Sequence, residues 1–137
     1  MSMRAAVVTA ALAVFWVGAG VADEKQPPTG SEAGEMIFRS ICVSCHGKDA
    51  RGEGPVAASL KTKPANLRLI AQRRNGSFPY DEIAQYIDGR KAPLAHGTRE
   101  MPVWGDALAT GAPEPDREQR RKLRIEEVVA YLKTLQE

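Results

Sequence analysis

The chain has 137 residues, with 19 lysines and arginines against 17 aspartates and glutamates, a net charge of +2. That is room for one domain, and the balance lacks the basic excess of a nucleic-acid-binding surface, so no nucleic-acid partner is expected. With 26% charged and 43% hydrophobic residues the chain is expected to fold rather than remain a disordered tail. Aromatic residues, at 6%, are thin for a core of this size, so a non-protein group is expected to supply part of the packing. The two cysteines lie three positions apart and cannot build a disulfide framework.

Residues 5–22 carry no charge, with Arg4 before them and Asp23-Glu24-Lys25 after. The apolar run Ala5–Val17 has the length of a secretory h-region, and Gly20 and Ala22 put small residues where a signal peptidase reads, so cleavage is expected after Ala22. The alternative is an uncleaved N-terminal anchor, for which the uncharged stretch is short and Gly18 and Gly20 ill suited. The expected location is therefore periplasmic, with a membrane involved only if this segment is retained. Without residues 1–22 the chain is small enough for a hydrophobic core alone to be marginal.

Residues 23–30 read as a flexible lead-in, with Thr29 and Glu32 spaced as a capping box. Ala33, Ile37 and Ile41 repeat at four-residue spacing, which predicts a helix over about 30–42. Residues 47–65 are broken by Gly47, Gly52, Gly54, Pro55 and Pro64 and read as irregular. Asn66 is placed to cap a short helix over Leu67–Arg74, ending at Asn75-Gly76. Pro79 suits the start of a further helix whose apolar face is Tyr80, Ile83, Ala84 and Ile87, and Gly89 stops it. Residues 90–103 read as a loop, followed by a short helix around Trp104–Leu108 and a polar linker over 110–118. Ile125, Val128, Val129, Leu132 and Leu135 form one stripe of a final helix. No convincing strand or repeat is visible. The expected fold class is all-α, short helices and long loops, and long loops around few helices imply something for the loops to pack against.

Cys42-Val43-Ser44-Cys45-His46 is a C-x-x-C-H sequence, the haem attachment signature. Two thiols on one helical turn can add to the two vinyl groups along one porphyrin edge, and His46 then faces the iron as proximal ligand. The predicted export signal fits, because c-type haem is attached outside the cytoplasm. Two other readings of the motif remain. A thioredoxin-like C-x-x-C needs a preceding strand in a βαβ setting. Zinc needs a fourth ligand, for which His96 is the one conventional soft donor left.

A haem iron at His46 would need a second axial ligand or stand open. Beyond the export segment the methionines are Met36 and Met101. Met36 precedes Cys42 in the first helix and is expected to pack near the haem edge. Met101 sits in the polar loop Arg99-Glu100-Met101-Pro102, where core packing is a weaker explanation, and Pro102 helps hold that loop in one shape. Met101 is the expected ligand, with His96 as the rival.

Taken with the surrounding segments, the sequence resembles the bacterial mono-haem class I c-type cytochromes over roughly residues 31–135. Gly34 and Phe38 ahead of Cys42-x-x-Cys45-His46 match that family's opening. Gly52-x-Gly54-Pro55 and Lys63-Pro64-Ala65-Asn66-Leu67 resemble its haem-side loop, Met101-Pro102-Val103-Trp104-Gly105 its distal-ligand motif, and Tyr131-Leu132 the aromatic position that packs on the first helix near Gly34 and Phe38. The resemblance implies a cytochrome c domain over 31–137 wrapped around one covalently attached haem c. Cys42 and Cys45 would be its thioether attachments, and His46 and Met101 its axial ligands. It implies a one-electron Fe(III)/Fe(II) carrier in respiratory electron transport, not an enzyme with catalytic residues of its own, exchanging electrons with a dehydrogenase, an oxidase or another cytochrome. The alternatives are a cytochrome subunit of a larger oxidoreductase complex, and a haem-based sensor or minor peroxidase if Met101 is labile. The charged stretch 109–122 departs from the family pattern.

Other features carry less. Gly52-x-Gly54-x-x-Ala57 superficially fits a dinucleotide fingerprint but lacks a strand and contains Pro55. Asn75-Gly-Ser77 is a glycosylation sequon by pattern and a turn by plainer reading. Arg68, Arg73, Arg74, Arg90, Lys91 and Arg99 are read as a solvated surface, with a partner-docking face or a propionate clamp as alternatives. Trp104 is equally suited to packing over the haem edge and to bonding a propionate. Arg117–Arg124 is expected to form an exposed start to the last helix.

Overall fold

The computed structural model describes residues 30–90 and 101–137, and all regular structure among them is helical. The export segment, the lead-in up to Thr29, and Lys91, His96 and Arg99 lie outside the described residues. The helices are α1 (Gly30–Ile37), α2 (Val43–His46), α3 (Tyr80–Asp88), α4 (Gly105–Leu108) and α5 (Arg117–Thr134). No described helix is long and apolar enough to cross a membrane.

α1 buries Ala33 and Gly34 against α5. Gly34 lets the two backbones touch, because a Cβ there would overlap the Glu127 carbonyl. Phe38 is fully buried one turn later and meets Tyr131 of α5 at a ring-centroid distance of 5.5 Å, tilted by 52°. This is the packing expected of Tyr131 against Gly34 and Phe38.

The helix expected over 30–42 runs into the cysteine motif and continues through it. Phe38–Cys42 continues it as a π-helical turn, in which the Val43 N–H donates to the Phe38 carbonyl five residues back, and α2 carries on through His46. Ser40 returns its hydroxyl to the Ile37 carbonyl at 2.8 Å, a side-chain bond that bends helices. Wide turns of this kind gather at functional sites.

α5 contributes Ile125, Val128, Val129 and Leu132 of its predicted stripe to the core, with Tyr131 beside them and Leu135 partly buried against it, and Ile87 of α3 joins them. α3 opens after Pro79 with Asp81 and Glu82 in its first turn, where acids favour the helix dipole. It closes at Gly89, left-handed at φ 69°, whose N–H caps the Gln85 carbonyl at 2.9 Å. The Tyr80 hydroxyl donates to the Glu126 carbonyl at 2.9 Å and ties α3 to α5.

The helix expected over Leu67–Arg74 is instead two separate 3₁₀ turns, Leu67–Leu69 and Gln72–Arg74. Asn66 caps the first through its side chain, as expected, accepting from the Arg68 N–H at 3.0 Å. The break has a tertiary cause. The side-chain amide of Gln136 donates to the Leu67 carbonyl and accepts from the Ala71 N–H, each at 2.9 Å. Those are the two groups an α-helix would have joined directly. Asn75 (φ 55°) and Gly76 (φ 85°) then turn the chain, in keeping with the turn reading of Asn75-Gly-Ser77.

α5 begins at Arg117, so the expected linker gives way to helix before residue 118. Its first turns are mostly exposed, but Arg121 is 6% exposed and points inward, against the expectation of a solvated basic run. Most of the described arginines expected on a basic surface are neutralised within the chain. Arg68 pairs with Glu137 at 2.6 Å, Arg74 with Glu82, and Arg90 with Asp88 at 2.6 Å.

Candidate functional site

Cys42 ends the π turn and α2 carries Cys45 and His46, and the end of α2 is closed by the loop that follows. A helix leaves its last four carbonyls without partners. Here the Gly47, Val56, Gly54 and Gly52 N–H groups donate to the carbonyls of Val43, Ser44, Cys45 and His46, at 2.8–3.1 Å. This explains the glycines between 47 and 54. A Cβ on Gly54 would sit inside the Val43 and Ser44 carbonyls, and Gly52 combines φ 81° with direct packing on the Pro64 carbonyl. The sequence offers the Gly-x-Gly-Pro pattern, while its role as the lid on α2 emerges only in three dimensions.

The residue after Pro64 completes the arrangement. The Ala65 carbonyl accepts from His46 Nδ1 at 3.3 Å. A carbonyl can only accept, so Nδ1 carries the proton and Nε2 keeps its lone pair, the tautomer a metal-ligating histidine needs. Burial lowers the His46 pKa, with the Ala65 bond acting in the opposite direction, and so favours the neutral ring. Burial first, and the neighbouring Cys45 second, push the Cys42 thiol up to about 12.

Cys42, Cys45, His46 and Met101 all line one cavity of about 380 Å³. Its remaining wall is mostly apolar and includes Phe38 and Ile41 of the π turn, Ile83 and Ile87 of α3, Trp104 and Leu108 beside and in α4, and Val128 and Leu132 of α5, with Thr62 and Lys63 among its polar members. A mostly apolar cavity with a few convergent polar groups, within the roughly 300–1,000 Å³ of small-molecule sites, is what a cofactor pocket requires. Trp104 lies on this wall. Met36 does not: it is 64% exposed, correcting its expected place near the haem edge. His96, the rival ligand, lies outside the described residues.

The two other readings of the cysteine motif find little here. A reactive C-x-x-C dithiol has a depressed thiol pKa and follows a strand; Cys42 is shifted upward and follows a helix. Among the described residues no three His, Cys, Asp or Glu side chains form a metal-holding cluster, so zinc gains no support from them. The donor set fits a haem better: two thiols within one turn, an imidazole with a free Nε2 and a thioether, on an apolar lining. No family model, curated protein or solved structure matches the chain.

Proposed function

We propose that this chain is a mono-haem c-type cytochrome of the class I type, a one-electron carrier working outside the cytoplasm. The observation that carries the reading is that Cys42, Cys45, His46 and Met101 share one mostly apolar cavity, although Met101 is far from the motif in sequence. Cys42 and Cys45 would hold the group covalently. Each attachment would be a thioether formed by addition of the thiol S–H across a vinyl group, a step with no net redox change. His46 Nε2 and the Met101 sulfur would hold the haem iron. Bound haem iron supplies the Fe(III)/Fe(II) couple.

The rest of the work belongs to the protein. The Ala65 carbonyl holds the His46 ring in one tautomer and orientation. The apolar wall excludes water, and the soft Met101 thioether favours the reduced state over what a second histidine would give. Ligands fixed by the fold leave little to rearrange when one electron moves. Redox partner proteins, a dehydrogenase, an oxidase or another cytochrome, complete the proposal.

The test is export of the full chain in a host that matures c-type haem, followed by intact mass and visible spectra. The expected product carries one covalent haem, is low-spin, has a weak far-red band when ferric and ignores CO when ferrous. Absence of covalent haem with both thiols free would overturn the reading. A high-spin spectrum, or rapid CO binding, would move sensing or peroxide chemistry to the front.

A further inference from the structure

We propose that Arg121 is the positioning residue for Met101, and that the charged start of α5 serves as a clamp on the segment bearing that ligand. The inference rests on the reading of Met101 as an iron ligand and goes on to ask what holds it. Arg121 is the buried charged residue among those described. Its Nε donates to the Gly105 carbonyl at 2.9 Å, its Nη2 reaches Asp106 Oδ1 at 3.0 Å, and its Nη1 pairs with Glu118. Two of these three partners lie just after the Met101–Trp104 segment, the third lies on α5 itself, and none belongs to the Cys42–His46 end of the site. A guanidinium fork suits this task because it serves several acceptors from one rigid plane.

The described chain that ends at Arg90 is tied to the same place. Arg90, the last described residue before the chain returns at Met101, chelates Asp88 at 2.6 and 2.8 Å and reaches Glu118 at 3.3 and 3.4 Å. Glu118 therefore serves Arg90 and Arg121 together. Between them Gly105 is wedged so tightly that a Cβ would overlap the Asp88 carboxylate. The Trp104 N–H donates to the Ile87 carbonyl at 3.3 Å. Trp104 and Leu108, on either side of the clamped backbone, both line the cavity beside Met101. Holding Gly105 thus holds the wall from which the Met101 sulfur is presented.

The experiment compares haem-loaded wild type with Arg121→Gln, Glu118→Gln and Arg121→Lys. Arg121→Gln should retain full covalent attachment, lose most of the ferric far-red band and bind CO in the ferrous state. Amide exchange over residues 104–109 should accelerate about tenfold or more, as loss of a buried charge-assisted bond implies, with 30–46 unchanged. Arg121→Lys should recover part of each signal, and Glu118→Gln should give a smaller loss. A wild-type spectrum and wild-type exchange in Arg121→Gln would overturn the proposal. So would equal acceleration over 30–46 and 104–109, which marks general destabilisation; if Arg121→Gln does not fold, the two milder variants carry the same comparison. Wild-type protein that itself binds CO would refute Met101 ligation, and this proposal with it, before any variant is compared.

Discussion

Replacing Gly34 with alanine sets two effects of opposite sign against each other. In a helix interior alanine is favoured over glycine by about 1 kcal/mol, so a loosely packed site would be stabilised. At residue 34 the added Cβ would overlap the Glu127 carbonyl and lie 3.0 Å from Tyr131 Cβ. Neither neighbour can swing aside, one being backbone and the other a side-chain root. Restoring ordinary carbon contacts of about 3.5–4.0 Å requires α1 to move off α5 as a body, and a radial gap of 0.5–1 Å forfeits roughly a quarter to a half of the dispersion energy at each separated contact. Overpacking costs about 1–3 kcal/mol, with rigid backbone at the upper end, so the net loss is about 2 kcal/mol after the propensity gain. For a domain of this size that lowers Tm by roughly 8–16 °C. Urea unfolding followed by helical circular dichroism measures it, with Gly30→Ala as control. Gly30 lies on the same helix with nothing within 4 Å, and its substitution should stay within about 0.5 kcal/mol of wild type. Equal stability of the two variants would refute the close crossing of α1 and α5.

Three further outcomes are expected. Met101→Ala should keep covalent attachment, lose the ferric far-red band and bind CO when reduced, while His96→Ala leaves the spectrum alone; an unchanged Met101→Ala spectrum would remove that ligand assignment. The Arg90 hydrogen bonds hold the Asp88 carboxyl below the ordinary carboxylate range. The stability this supplies is therefore present above the ordinary value and lost as pH falls through the folded-state value. Asp88→Asn should cost about 1 kcal/mol near neutrality, and the gap to wild type should close in acid; a gap independent of pH would contradict the ion pair. Gln136→Ala should cost less than about 1 kcal/mol, since the freed Leu67 carbonyl and Ala71 N–H can bond to each other. Amide exchange at Ala71 checks this: loss of its protection would show that the two turns cannot merge.

What the sequence revealed and what it hid divide along physical lines. The final helix and the cysteine motif are legible because each is a local pattern, an apolar stripe in one case and a fixed spacing in the other. Met101 stands out in the sequence because its loop is polar, yet in the fold it packs against the hydrophobic core as well as lining the cavity. The side chain of Gln136 could not be foreseen inside the Leu67–Arg74 segment, because the partner comes from the far end of the chain. Arg121 reads as one more cation in a basic run, and the Gly105 carbonyl with the Asp106 and Glu118 carboxylates, which make its burial tolerable, meet it only in the folded chain. Met36 was placed by its nearness to Cys42 in sequence, yet on a helix it falls roughly 200° around from Gly34, on the side turned away from α5. The π turn leaves no mark in the residue types of Phe38–Cys42.

That turn fixes a rotational phase. Each residue advances a helix by roughly 100°, and the widened turn takes up one residue more than an α-helical turn would. Gly34 and Phe38 can therefore remain seated on α5 while Cys42, Cys45 and His46 face the cavity. Deleting Arg39 or Ser40 would leave the cysteine motif intact and remove no group from the cavity wall. It would nevertheless swing the two thiols and the imidazole about a quarter-turn relative to the α5 contact. The motif thus depends on the length of the chain ahead of it as well as on its own spacing.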